Sequence, residues 1–220
     1  MKFDAINLDY YGTLVDWLAI WIDVSQEIVS ETPLDVDSKE LALHWRKVQR
    51  ALLDEQEYLS YKENITIALQ RTAIEFGFES ADYPERLFSK WVEIRPFEEV
   101  EETLQTLNSN FRLAICTNSA IDLYHASATN LAVTFDHIVV SDDIQANKPH
   151  PKMHAVAQER LDVPYERILH VASSQMDVRG ATKAGFSVCW INRLNEHRAQ
   201  DTPEPSYEIL TLDQILPIVS

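Results

Sequence analysis

Short runs of β-branched and other apolar residues recur at residues 3–8, 112–116, 137–140, 168–172 and 187–191, each of a length that suits a strand buried on both faces. After residue 97 they alternate with helix-length stretches near 98–109, 120–130, 151–161 and 176–185. That alternation predicts a parallel sheet covered by crossover helices, a doubly wound α/β core of Rossmann-like type. Between the first strand run and the second, residues 17–94 read as helix after helix without a strand signal. In the second of these helices Leu41, Trp45, Val48 and Leu52 form one apolar stripe, while Lys39, Glu40, Lys47, Arg50 and Asp54 occupy the remainder. The expected organisation is therefore an α/β core of residues 1–16 and 95–220 with a helical cap, 17–94, inserted after the first strand. Open α/β sheets bind ligands at the carboxyl ends of their strands, so a cap that leaves from that point is expected to cover the site.

Composition narrows the functional classes. Hydrophobic residues make up 45% and charged residues 25% of the 220-residue chain, as in an ordinary soluble domain with a sizeable core. The opening MKFDAINLDYYG breaks its apolar stretch with acids, which fits neither a secretion signal nor a membrane span. A cytoplasmic protein without a membrane partner is the expectation. A formal charge of −16 repels nucleic acid, and a small anion would bind only in a pocket of locally positive potential. Cys116 and Cys189 each sit in a strand-like run and read as packing thiols. The seven histidines look scattered, without the spacing of a zinc site.

Four segments carry candidate chemistry, each directly after a predicted strand. AINLDYYGTLVDW places Asp9 at a strand end and turns through Gly12 to Thr13; the acid either enters the crevice or caps the turn. RLAICTNSA puts Thr117, Asn118 and Ser119 at a helix entrance, as anion-holding groups or as a cap. In QANKPHP, Pro149 restricts Lys148 to extended backbone, and an ammonium fixed near Asp9 would favour the charged carboxylate; a solvated loop lysine is the alternative. ILHVASSQMDVRGA supplies Ser173, Ser174, Asp177 and Gly180, with Asp177 either in the site or capping the next helix. A parallel sheet brings all four loops to one edge.

The order and spacing of these segments resemble the haloacid dehalogenase superfamily along nearly the whole chain, insertion included. Asp9 and Thr13 match its nucleophile motif, Thr117 and Asn118 its second, Lys148 its third and Asp177 its fourth. Most phosphatases of the superfamily carry a second acid two residues after the nucleophile, where this chain has Tyr11. A phosphate ester leaves as an alkoxide and benefits from that acid's proton, whereas a halide is already a stable anion and needs none. With one acid replaced, a magnesium ligand set is also incomplete, so neither metal nor cofactor is expected. The Tyr11 form is similar to the 2-haloacid dehalogenases, and Trp45-Arg46 resembles the pair that opens their cap helix.

The resemblance implies a two-step hydrolysis of a small anionic haloacid, with a homodimer as the family's usual assembly. Asp9 attacks C2 of the substrate, Arg46 with Asn118 receives the halide, Lys148 orients Asp9, and groups near Thr117 and Asn118 hold the substrate carboxylate. Water helped by Asp177 then opens the Asp9 ester, with Tyr11, Thr13, Ser173 and Ser174 lining the substrate. Four positions depart from the pattern: Ala172 and Ser174 replace the serine and asparagine that support the hydrolytic water, Met176 an aromatic, and His154 a tyrosine. The rival expectations are a phosphatase of the same superfamily and a catalytically silent ligand-binding homologue.

Overall fold

The computed structural model describes residues 2–53 and 58–220. Its strands are β1 (Ala5–Leu8), β2 (Val15–Asp16), β3 (Arg95–Pro96), β4 (Arg112–Thr117), β5 (His137–Val140), β6 (Ile168–Ala172), β7 (Ser187–Ile191) and β8 (Tyr207–Ile209). Its helices are α1 (Leu18–Glu31), α2 (Ser38–Leu52), α3 (Tyr61–Phe76), α4 (Tyr83–Ser89), α5 (Val100–Asn108), α6 (Ile121–Ala128), α7 (Ser141–Ile144), α8 (Pro151–Leu161), α9 (Gln175–Ala184) and α10 (Leu216–Val219).

Six of the described strands form one parallel sheet in the order β5-β4-β1-β6-β7-β8. From β1 the chain builds outward through β4 and β5 on one side and through β6, β7 and β8 on the other. β1 is therefore the switch point, and the crevice opens at the carboxyl ends of β1, β4 and β6. Side chains alternate across the sheet. Ile6, Leu8, Leu113, Ile115, Leu169 and Val171 join the larger core on one face, whereas Ala5, Ala114 and Ile168 pack with Val178 and Ala181 of α9 on the other. The small residues on that second face let α8 and α9 lie close to the strands.

The expected strands and crossover helices are present, with boundaries displaced by a few residues. Strand β8 was not expected, because three residues at a sheet edge carry too little periodic signal. The same is true of β2 and β3, which pair antiparallel through Val15↔Pro96 and Asp16↔Arg95 where the chain enters and leaves the helical insertion.

Helices α1–α4 make up that insertion among the described residues. Asp37 caps α2 by accepting from Lys39 N at 2.9 Å and Glu40 N at 3.1 Å, and Ser60 with Glu63 forms a capping box on α3. Leu41, Trp45 and Leu52 are buried as the stripe requires, but Val48 is only half-buried and Gln49 takes a fully buried place beside them. Its amide donates to Asn64 Oδ1 at 2.5 Å, which satisfies a polar group that periodicity alone assigns to the surface. Asp54, expected on the polar face, lies outside the described residues.

The insertion is fastened over the crevice by specific bonds. Asp142 Oδ1 of α7 accepts from Tyr58 OH at 2.7 Å and Tyr61 N at 2.9 Å, and Asn130 Nδ2 donates to the carbonyls of Val92 and Ile94. The buried Trp91 ring adds apolar contact with Tyr11 of the core at 5.7 Å, while Trp21 and Trp45 pack on each other within the insertion at 4.5 Å.

Candidate active site

Asp9 follows β1 directly, and its backbone N–H donates to Val171 O at 2.9 Å, which holds the nucleophile candidate against the end of β6. Its carboxylate accepts from Thr13 Oγ1 at 2.8 Å on Oδ2 and from Lys148 Nζ at 2.8 Å on Oδ1. The Thr13 hydroxyl in turn accepts from Ser173 N at 2.9 Å. The turn between Asp9 and Thr13 needs Gly12 at φ +82°, a left-handed conformation that side chains disfavour. Asp9 accordingly belongs to the crevice and does not cap the turn.

Lys148 is almost fully buried and also donates to Asp177 Oδ2 at 2.6 Å, so one ammonium bridges two carboxylates. Burial works against the charge, but Asp177 and Asp9 outweigh it and hold the lysine above its ordinary value. For Asp177, burial likewise opposes the charged form; Lys148 and then His170 overcome that and keep its carboxyl well below the usual range. Asn118 fixes the loop that carries the lysine: its Oδ1 accepts from Lys148 N at 2.7 Å and its Nδ2 donates to Lys148 O at 3.1 Å. Gly180 of α9 lets the next residue approach, since a Cβ there would meet Pro149 Cβ at 2.9 Å. Ser174, and not Asp177, caps α9, accepting from Asp177 N at 3.1 Å.

A cavity of about 50 Å³, room for a small ligand only, brings together Asp9, Tyr11, Arg46, Thr117, Asn118, Lys148, Ser174, Met176 and Asp177. A larger neighbouring cleft of about 230 Å³ shares Tyr11, Arg46, Arg50 and Ser174 with it and also reaches Gly12 and Ser173. Arg46 comes from α2 of the insertion, stacked 4.9 Å over the Trp17 ring and bonded to Gln49 Oε1. Burial brings it down to about 10, which leaves the guanidinium charged at neutral pH. Because Lys148 is already shared by Asp9 and Asp177, Arg46 is the group that offers positive potential to an anion in a chain of charge −16.

The Tyr11 hydroxyl is turned away from Asp9. It accepts from Trp91 Nε1 at 2.8 Å and lies 3.3 Å from both Ser119 Oγ and Ser127 Oγ. Burial raises its phenol above the ordinary value, so it stays neutral. Its ring stacks on that of Tyr61.

The structure thus gathers Asp9, Tyr11, Thr13, Arg46, Thr117, Asn118, Lys148, Ser173, Ser174 and Asp177 around one edge of the sheet. Arg50, assigned to the polar face of α2, lines both cavities as well. Two histidines need correction. His154 and His170 are fully buried, not scattered on the surface, and both converge on Asp177. Strand alternation turns His170 toward α8 and α9, and pairing across three distant segments is not visible in any one of them.

The family described as haloacid dehalogenase-like hydrolase matches residues 6–191. The chain belongs to that family. Among relatives of this haloacid dehalogenase-like hydrolase is haloacetate dehalogenase H-2 of Moraxella sp. (strain B), 29% identical, with 100% of this chain and 99% of the relative covered. Another is (S)-2-haloacid dehalogenase 2 of Pseudomonas sp. (strain CBS-3), 28% identical over 96% of this chain and 93% of the relative. The fold is shared with the L-2-haloacid dehalogenase from Xanthobacter autotrophicus with chloropropionic acid covalently bound, at a TM-score of 0.82, 23% identity and coverage of 99% and 98%. It is shared equally with the putative HAD-hydrolase YfnB from Bacillus subtilis bound to magnesium, at a TM-score of 0.82, 19% identity and complete coverage of both chains.

Fold alone therefore does not decide whether a haloacid dehalogenase-like hydrolase holds magnesium, and the donor atoms must be examined. Magnesium requires a near-octahedral set of oxygens. Here Asp9 Oδ1 and Asp177 Oδ2 are both bonded to the Lys148 ammonium, and the Tyr11 oxygen is taken by Trp91. Only Asp9 and Asp177 therefore offer carboxylate oxygens at this point, and each already neutralises the Lys148 ammonium.

Proposed function

We propose that the chain is a hydrolytic dehalogenase that converts a short 2-haloalkanoic acid to the 2-hydroxyacid and halide through an ester on Asp9. The observation that carries this reading is the Asp9–Lys148–Asp177 bridge at the floor of a cavity roofed by Arg46, with the Tyr11 ring where a phosphatase would keep its second acid. The names of the relatives, dehalogenases of haloacetate and of (S)-2-haloacids, support the same substrate class. In this reading residues 17–94 act as the cap, a division supported by the β2–β3 ladder at its two ends.

An oxygen of Asp9 attacks C2 from the side opposite the halogen; the carbon–halogen bond breaks and halide departs toward Arg46. Lys148 orients Asp9, which Thr13 holds from the other oxygen. Asn118 contributes by clamping the Lys148 backbone, and backbone groups near Thr117 hold the substrate carboxylate. Water then adds to the Asp9 carbonyl carbon with Asp177 receiving a proton. Fixed cations offset the repulsion of bringing two anions together. A cytoplasmic setting and the family's homodimer complete the reading; both cysteines being free and buried fits a reducing compartment. Among the described residues, no helix is long and apolar enough to cross a membrane.

Halide release from chloroacetate and 2-chloropropionate, without added metal, tests the proposal. Asp9→Asn should abolish it. Magnesium-dependent release of phosphate from a small ester would favour a phosphatase instead, and tight haloacid binding without turnover a silent homologue.

A further inference from the structure

We infer that His170, with His154 beside it, is a positioning residue that holds Asp177 for hydrolysis of the Asp9 ester, an inference that rests on the dehalogenase reading above. Alternation along β6 turns Ile168, His170 and Ala172 toward α8 and α9, while Leu169 and Val171 face the other core. His170 stands in register with Asn7 of β1, and its Nδ1 lies 3.0 Å from Asn7 Nδ2. With that amide donating to Nδ1, the ring proton is on Nε2, which lies 3.2 Å from Asp177 Oδ2. In the opposite amide orientation the ring proton sits on Nδ1 and Nε2 would face the carboxylate with a lone pair, so the first orientation is the one compatible with Asp177 beside it.

His154 of α8 completes the group from the other side. Its Nε2 is 3.6 Å from Asp177 Oδ1, and its ring meets that of His170 edge-on at 5.3 Å. Both nitrogens of His154, His170 Nε2 and Asp177 Oδ1 are buried without a well-aligned hydrogen bond. Unpartnered buried atoms that converge on one point are a costly arrangement that calls for a proton or a cation between them. Two imidazoles and a carboxylate are also a donor set for a dication. Here, however, the same carboxylate is bonded to the Lys148 ammonium at 2.6 Å, so a dication would sit against a fixed positive charge in a dry interior. The ammonium already present therefore disfavours a metal at this cluster.

The consequence lies in the second step. Once Asp9 is esterified it no longer carries charge, and its attraction for Lys148 weakens. Asp177 must then keep its orientation while water adds to the Asp9 carbonyl carbon and gives it a proton. The ester C–O bond breaks, the departing alkoxide takes that proton to become the product hydroxyl, and the second water proton leaves as Asp9 returns to carboxylate. His170 lies against Asp177 at 3.2 Å without touching Asp9, so that contact does not depend on the charge of Asp9. Ala172, next on the same strand face, has no donor to offer in its place.

The test compares wild type, His170→Phe, His170→Asn and His170→Gln in rapid mixing with 2-chloropropionate, quenching and intact-mass measurement. His170→Phe and the shorter His170→Asn should form the Asp9 adduct at the wild-type rate and then accumulate it, with kcat lower by about 100-fold and KM lowered in step. His170→Gln, whose Nε2 reaches the same place, should restore most of the turnover. The inference is overturned if the folded Phe or Asn variant turns over as wild type, if the loss falls equally on adduct formation, or if wild type binds an equivalent of transition metal that these variants lose. Absence of both adduct and halide in wild type would instead sink the dehalogenase reading, and this inference with it.

Discussion

Lys148 Nζ lies 2.8 Å from Asp9 Oδ1, and the same nitrogen reaches Asp177 Oδ2 at 2.6 Å. Lys148→Met keeps the length of the side chain and removes the charge from between two carboxylates. Halide release should fall by about 100-fold or more, the scale on which a preorganised electrostatic contact acts. Stability should fall as well, by about 3–5 kcal/mol, because buried carboxylates lose their partner. Steady-state halide release and urea denaturation measure the two effects separately; wild-type values in both would remove the lysine from the account.

Much of this site was legible because strand ends announce themselves. Apolar runs closing at Leu8, Cys116 and Ala172 marked where the crevice had to open, and the acid, hydroxyl and amide residues after them are the ones found there. Lys148 was legible for a different reason, since Pro149 restrains its backbone. The roles of some side chains were not. Asn118 reads as an anion or halide contact, and its amide also bonds the Lys148 backbone, a pairing across 30 positions that no local pattern encodes. His170 sits in ILHVA, which reads simply as a buried strand, and its partners arrive from β1, α8 and α9 only through packing at the small residues Ala5, Ala114 and Gly180. Gln49 breaks the α2 stripe because Asn64 satisfies it from another helix.

Tyr11 separates chemistry from stability. Its hydroxyl is the acceptor for the buried Trp91 N–H at 2.8 Å, while its ring faces the Asp9 cavity. Tyr11→Phe should therefore lower stability by about 1–3 kcal/mol, the cost of leaving one buried donor unsatisfied. Turnover should stay within a few-fold of wild type. Thermal or urea unfolding together with halide release provides the check, and a large loss of activity at unchanged stability would show that the hydroxyl serves the reaction.

His154 makes the fold sensitive to acid in a defined window. Burial, opposed by Asp177 and reinforced by His170 and Lys148, brings its imidazole from 6.5 down to about 3. The native state therefore binds fewer protons than the unfolded chain between those values, and stability contributed by neutral His154 is lost as pH falls from 6.5 toward about 3. The slope from this residue should be about 1.4 kcal/mol per pH unit. The depressed Asp177 adds its own loss only below the ordinary aspartate value of 3.8. Urea midpoints at about pH 6 and about pH 5 isolate the histidine, and His154→Phe should flatten the slope between them. An unchanged slope in that variant would assign the acid sensitivity elsewhere.

The covalent role of Asp9 is tested most directly by one turnover in heavy-oxygen water, with enzyme in excess over 2-chloropropionate. The account predicts a product hydroxyl that carries ordinary oxygen, taken from the Asp9 side chain, and heavy oxygen recovered in the peptide that contains Asp9. Heavy oxygen in the product, with that peptide unlabelled, would mean that water attacks the substrate carbon itself and would contradict the ester mechanism.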